Sequence, residues 1–289
     1  MDRALRAAVG EALDGEVSSA RPVGGGDINE AFAVELADGR SVFVKTNARA
    51  PSAMFPTEAR GLAWLAEAGA LRVPAVLAVS EPDGDSPPFL ALELIRPGSP
   101  VRDFDERLGR GLAALHRYGA PAFGLDHDNF IGRLPQDNTP CASWPELYRA
   151  RRLAPQLRMA VDAGLATRRM QDGFERLFAR LPELVGPDEP PSRLHGDLWG
   201  GNLHTTEDGA PCLIDPAVYG GHREMDLAMM RLFGGFGRRV FDAYAEVWPL
   251  ARGHAERVPL YQLYPLMVHV NLFGGGYAAQ AQAALERIV

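Results

Sequence analysis

His195-Gly196-Asp197-Leu198-Trp199-Gly200-Gly201-Asn202, followed by Leu213-Ile214-Asp215-Pro216, decides how this chain is read. A carboxylate at 197, an amide at 202 and a second carboxylate at 215 follow one another within one short stretch. Between them, Leu203 to Thr205 and Pro211 to Ile214 read as strands joined at the turn Glu207-Asp208-Gly209. Such a hairpin brings Asn202 and Asp215 to the same end of adjacent strands. The plainer alternative is that His-Gly-Asp is a turn, Asn202 caps one strand end and Asp215 terminates another.

The residue types suit phosphoryl transfer. That reaction needs an acceptor for the proton of the attacking hydroxyl, and oxygen ligands that hold Mg²⁺ against the phosphates as charge builds on them. Asp197 is the candidate base, with Asn202 and Asp215 the candidate metal ligands. Mg²⁺ accepts a few hard oxygens completed by phosphate and water, so one carboxylate and one amide suffice when ATP supplies the rest.

Upstream, the first hundred residues read as a small sheet-rich lobe. Strands at Glu16 to Val23 and Glu30 to Leu36 flank Gly24-Gly25-Gly26-Asp27-Ile28-Asn29, and Asp38-Gly39 marks a hairpin. Successive glycines let backbone N–H groups approach phosphates without interference from Cβ, so Gly24, Gly25 and Gly26 are candidates for nucleotide contact. In Ser41-Val42-Phe43-Val44-Lys45, strand alternation puts Lys45 on the face opposite Val42 and Val44. Helical spacing places Glu58 on a stripe with Leu62 and Leu65, where a carboxylate needs a cation, and Lys45 is the candidate. Val73 to Ser80 and Phe89 to Ile95 continue the strand pattern, with Glu81-Pro82-Asp83-Gly84 as punctuation between them. The backbone at Glu93, Leu94 and Ile95 is placed to bind an adenine edge, although a buried strand running into a plain loop fits equally well.

Arg96-Pro97-Gly98-Ser99-Pro100 reads as a hinge, and beyond it the pattern turns helical. Phe104 to Tyr118 is amphipathic and stops at Gly119; Ser143 with Pro145 opens a helix to about Val161; Arg168 opens another to Leu181. The run Arg149 to Arg152 reads as a solvated face, and Phe123 to Gly132 as a polar loop. Glu224 and Asp226 read as capping the following helix, anchoring the catalytic loop or touching substrate, the first two ahead of the third. The expected division is 1–95, a hinge at 96–101, and 102–289: an α+β fold of two lobes.

Composition narrows the classes. With 46% hydrophobic and 23% charged residues over 289, the chain is an ordinary globular protein, and its net charge of −7 disfavours nucleic acid or an acidic membrane as partner. Two cysteines, Cys141 and Cys212, suit a reducing cytoplasm. Met1 to Gly10 lacks the apolar core of a signal peptide and no apolar run reaches membrane-spanning length, so a cytoplasmic location is expected.

Taken together, Gly25 to Asn29, Val44-Lys45-Thr46, Thr57-Glu58-Ala59, His195 to Asn202, Gly221-His222-Arg223-Glu224 and Asn271 to Tyr277 resemble the fructosamine-3-kinase (ketosamine-3-kinase) family. This family is a branch of the aminoglycoside phosphotransferase and choline kinase relatives of the protein kinases. A bare His-Gly-Asp with Asn five residues on marks only the superfamily; Trp199 and the Gly221 to Ala228 run point to the ketosamine branch. The resemblance implies a two-lobed protein-kinase-like fold and ATP-dependent phosphorylation of the 3-hydroxyl of a ketosamine, which destabilises the adduct and deglycates amines or lysines. It assigns Lys45 and Glu58 to phosphate positioning, Asp197 to the base, and Asn202 with Asp215 to Mg²⁺. Trp199, His269, Asn271 and Phe273 fall to the acceptor side, with packing beneath the loop as the other reading of Trp199. Some family members link two chains through a cysteine in the glycine-rich loop; this chain has Asp27 there, so redox control by that route is expected to be absent. A monomer or weak homodimer is expected. The alternatives are an aminoglycoside, choline-like or other sugar kinase, a metal-dependent hydrolase using His195, Asp197, His204 and Asp215, and a non-catalytic kinase-like module.

Overall fold

The computed structural model describes residues 1–24, 29–80 and 87–289. Gly25, Gly26, Asp27 and Ile28, together with the Glu81 to Gly84 turn, lie outside the described residues. The chain divides into two compact units, Met1–Phe104 with Leu203–Pro216, and Asp105–Asn202 with Ala217–Val289.

The first unit is built on a five-stranded antiparallel sheet: β1 (Val17–Pro22), β2 (Glu30–Leu36), β3 (Ser41–Thr46), β4 (Val76–Val79) and β5 (Phe89–Glu93), in the order β1-β2-β3-β5-β4. Asp38-Gly39 closes the β2–β3 hairpin, in which Phe32 pairs with Val44, and Lys45 of β3 pairs with Leu90 of β5. A helix that the motif reading passed over, α1 (Arg3–Ala12), covers one face. Asp2 caps it by accepting from the Leu5 amide, and Leu5, Val9 and Leu13, spaced by four, pack on Phe32, Val34, Val42 and Val44. On the other face, α2 (Met54–Ala66) buries Phe55, Ala59 and Leu62 against Leu90 and Leu92.

The Leu203–Thr205/Pro211–Leu213 hairpin belongs to this unit because the backbone at Gly98 and Val101 binds it. The Gly98 amide donates to the Thr205 carbonyl at 3.1 Å and Val101 to that of Gly209 at 3.2 Å. A Cβ at Gly98 would lie 2.2 Å from the Thr206 oxygen, so this approach requires glycine.

The second unit is mainly helical. Helices Phe104–Tyr118, Ala154–Asp162, Arg168–Leu184, Glu224–Phe233, Arg238–Val247, His254–Phe273 and Tyr277–Leu285 surround a core that includes Leu147, Phe174, Leu177, Tyr219, Tyr261 and Met267. Two expectations change here. The helix opened at Ser143 is interrupted by a π-helical turn, Tyr148–Leu153, and Arg152 within it is fully buried rather than solvated. The polar stretch 123–132 is not all loop: Asn129–Ile131 pairs with Leu134–Gln136, because its polar side chains find buried partners. Among the described residues no helix is long and apolar enough to cross a membrane.

Candidate active site

In the first unit, Lys45 extends from the central strand β3 and is buried. Its ammonium donates to Glu58 Oε1 at 2.8 Å and also to Asp215 Oδ1. Burial alone would lower the Lys45 pKa, but the two carboxylates raise it, so the ammonium is held protonated. Glu58 stands on α2 with Leu62 and Leu65 buried along the same helix, as the spacing predicts. Asp215 follows the hairpin with φ of +53°, a left-handed conformation uncommon for a non-glycine residue. Thus Lys45, Glu58 and Asp215 are brought together.

The expected adenine-contacting strand end is partly occupied. The Glu93 carboxylate accepts from Arg72 at 2.5 Å, and its amide donates to the Ala75 carbonyl at 2.8 Å. Leu94 and Ile95 lie beyond the strand and are half-buried. Gly24 is exposed, and a Cβ there would meet nothing within 4 Å.

In the second unit, the loop that carries Asp197 is held by the buried carboxylate of Asp226. The His195 and Gly196 amides donate to the Asp226 carboxylate at 2.8 and 2.9 Å, and the same carboxylate contacts His116 Nε2 at 3.1 Å. His116 Nδ1 lies 2.9 Å from the Tyr244 hydroxyl, so the imidazole bridges the two. Burial pushes the Asp226 carboxyl up, yet these donors hold it below its usual range. Of the roles open to Asp226 in the sequence, the geometry is that of an anchor. Glu224 forms a bidentate pair with Arg257 at 2.6 and 2.9 Å.

On the loop itself, Asn202 Nδ2 donates to the Asp197 carbonyl at 2.8 Å and to its Oδ2 at 3.1 Å. The amide nitrogen is thereby engaged by Asp197. Asn202 of the second unit offers a hard neutral oxygen and Asp215 of the first a carboxylate, each a donor type that Mg²⁺ accepts. Among the described residues no group of three or more His, Cys, Asp or Glu is arranged to hold a metal, so a protein-only cage is not formed.

Trp199 is 41% exposed and meets Phe233 edge-on, with centroids 6.4 Å apart. Phe233 packs on His269 at 4.5 Å, and His269 on Phe273 and Tyr277 at 5.5 and 5.0 Å. Burial lowers the His269 pKa, and its Nδ1 donates to the Pro265 carbonyl. This open aromatic wall joins Trp199 to His269 and adds Phe233, which sequence reasoning missed because a helix-terminal phenylalanine carries no signal of its own. Asn271 is not part of it: its Nδ2 donates to the Gln156 backbone and side-chain oxygens at 2.9 and 2.7 Å.

Known proteins are similar to this chain along nearly its whole length. The fructosamine kinase family model matches residues 1–289. The protein-ribulosamine 3-kinase of Arabidopsis thaliana is 37% identical over 274 residues, covering 94% of this chain and 82% of its own. A Synechocystis protein assigned as a ketoamine kinase is 38% identical over 94% of this chain and 90% of its own. A Thermobifida fusca crystal structure assigned as a fructosamine-3-kinase superposes with a TM-score of 0.91 at 41% identity, covering 100% and 99% of the two chains. An aminoglycoside phosphotransferase structure reaches a TM-score of 0.64 at 16% identity over 98% and 97%, which establishes the shared protein-kinase-like α+β fold.

Proposed function

The chain belongs to the fructosamine kinase family, and from that premise we propose that it transfers the γ-phosphoryl group of ATP to the 3-hydroxyl of a ketosamine. The acceptor class is a fructosamine or ribulosamine adduct of a small amine or a protein lysine. The observation that carries this reading is the catalytic loop, where Asp197 is bonded by Asn202 and the two preceding amides are locked onto Asp226.

Asp197 accepts the proton of the 3-hydroxyl as that oxygen attacks the γ-phosphorus, and ADP departs with the electrons of the broken P–O bond. Lys45, kept in place by Glu58, positions phosphate oxygens. Asn202 and Asp215 would hold Mg²⁺, which when bound neutralises charge on the transferring phosphate. The backbone of Gly24 to Gly26 and of Glu93 to Ile95 is proposed to contact the nucleotide. The wall of Trp199, Phe233 and His269 offers an apolar face to the acceptor.

An ATP-consumption assay across ribulosamines, fructosamines, aminoglycosides and choline, with phosphorus NMR of the product, tests the proposal. The expected result is turnover with a ketosamine and a phosphate on O3. Turnover confined to aminoglycosides or choline, or hydrolysis independent of ATP, overturns it. In the same assay Asp197→Asn is expected to lose about 10²–10⁴-fold in kcat with ATP binding nearly intact.

A further inference from the structure

Arg152 is a fully buried cation of the second unit, and its hydrogen bonds go to backbone and amide oxygens. Its guanidinium donates to the Asp137 carbonyl at 2.7 Å, the Arg151 carbonyl at 3.1 Å and the Asn138 side-chain oxygen at 2.6 Å. Its Cζ stacks 3.9 Å from the centroid of Tyr219. The π-helical turn that presents it is a costly deviation from α-helix that recurs at functional sites.

The chemistry of the partners gives this arrangement a direction. Arginine can only donate, so Asn138 must turn its oxygen inward and donate with its nitrogen. Asn138 Nδ2 accordingly donates to Asn129 Oδ1 at 2.9 Å, which leaves Asn129 Nδ2 to donate to the Val218 carbonyl at 2.8 Å. Gln136 runs in parallel: its oxygen accepts from the Tyr264 hydroxyl at 2.7 Å, and its nitrogen donates to Asn129 Oδ1 at 2.8 Å and the Ala217 carbonyl at 3.1 Å. Arg152, Asn138, Gln136 and Asn129 are all buried, so no solvent competes.

The relay ends where the catalytic loop rests. Ala217 donates its amide to the His195 carbonyl at 2.9 Å. A Cβ at Gly196 would lie 2.0 Å from the Ala217 oxygen and 3.4 Å from the Tyr219 ring, the ring on which Arg152 stacks. We propose that Arg152 is a positioning residue for phosphoryl transfer: it sets the polarity of the Asn138–Asn129–Gln136 amide relay, which holds the Ala217–Tyr219 segment as the backing of the loop that carries Asp197. The link to phosphoryl transfer rests on the functional reading above; the link to loop order does not.

The test compares Arg152→Met and Asn129→Ala with Leu177→Ala, a core truncation outside the relay that controls for lost stability. At a temperature where all are folded, both relay variants are expected to lose about tenfold to a hundredfold in kcat with KM for ATP within about twofold. In the free protein, amide hydrogen exchange of peptides covering Gly196 to Asn202 is expected to rise in both and to stay unchanged in Leu177→Ala. The Arg152→Met/Asn129→Ala double variant is expected to be no worse than the poorer single one, because both cut one relay. Should Arg152→Met fail to fold, Asn129→Ala alone decides. Wild-type kcat or wild-type loop exchange in Asn129→Ala, or multiplicative losses in the double variant, overturns the proposal. A wild-type enzyme inactive on every ketosamine overturns the functional reading, while the exchange comparison still decides the relay.

Discussion

Gly196 has φ of +84°, and any side chain there would begin 2.0 Å from the Ala217 carbonyl oxygen. The left-handed backbone alone costs a non-glycine residue about 1–3 kcal/mol, and a backbone oxygen cannot swing away as a flexible side chain can. Gly196→Ala is therefore expected to lower unfolding free energy by at least about 2 kcal/mol and to remove most activity. A urea midpoint equal to wild type would contradict this. Single contacts were legible in the sequence where chemistry restricts the choice: the buried Lys45 finds the carboxylate of Glu58. Arg152 was not, because what buries it is the ring of Tyr219, far along the chain, and a charge run in isolation has the pattern of a solvated face. Asn271 shows the converse, since proximity to His269 in sequence does not put its amide on the same surface as the aromatic wall.

At the scale of the element, the start of the loop that carries Asp197 is tied down by one buried carboxylate that receives three donors. Asp226 Oδ2 faces the His195 amide and His116 Nε2, and Oδ1 faces the Gly196 amide. Asparagine offers only one oxygen, so its NH₂ must oppose at least one donor, and leaving a buried donor unmet costs about 1–3 kcal/mol. Asp226→Asn is expected to lose that stability and about tenfold to a hundredfold in kcat, with KM for ATP nearly unchanged. Kinetics and denaturant melts on the same preparation would check both, and an unaltered kcat would show that the loop keeps its geometry without the carboxylate. Elements with strong periodicity or a turn signal, such as α2 and the Asp38-Gly39 hairpin, were readable in advance. The short Asn129–Ile131 strand was not, since its polarity looks like a loop until the buried amide relay supplies its partners. Helix α1 carried a usable signal in Asp2 and the Leu5, Val9, Leu13 spacing, but no chemistry that drew the reading toward it.

Across the whole molecule, the change from strand pattern to helix pattern near residue 100 was legible. The grouping of Leu203–Pro216 with the sheet was not, because it depends on a backbone approach at Gly98. The exposed pairs, such as Arg110 with Glu246, add little to stability in water. The pH response instead comes from the interior, where His222 lies between charged neighbours. It stacks on Tyr261 at 5.2 Å and its Nε2 is 3.8 Å from Glu189, whose carboxylate is already paired to Arg223. Burial, reinforced by the Arg223 and Arg257 guanidiniums against the opposing pull of Glu189, pushes the imidazole down to about 4 from 6.5. Below pH 6.5 the unfolded chain takes up a proton here that the folded chain refuses, so stability falls as pH drops from 6.5 toward 4 and levels off beneath it. Between pH 7 and pH 5 this one group removes about 2 kcal/mol. His269, also lowered by burial, acts with the same sign, so the comparison must isolate position 222. Urea melts at pH 7 and pH 5 are expected to show a smaller pH difference, by about 2 kcal/mol, in His222→Gln than in wild type, whatever stability the variant loses at pH 7. Carboxylates held low by partners, Glu189 and Asp226 among them, lose their contribution only as pH falls below about 4, outside that window. An equal pH difference in the two proteins would mean that the imidazole is protonated in the folded chain and that Glu189, rather than burial, governs it.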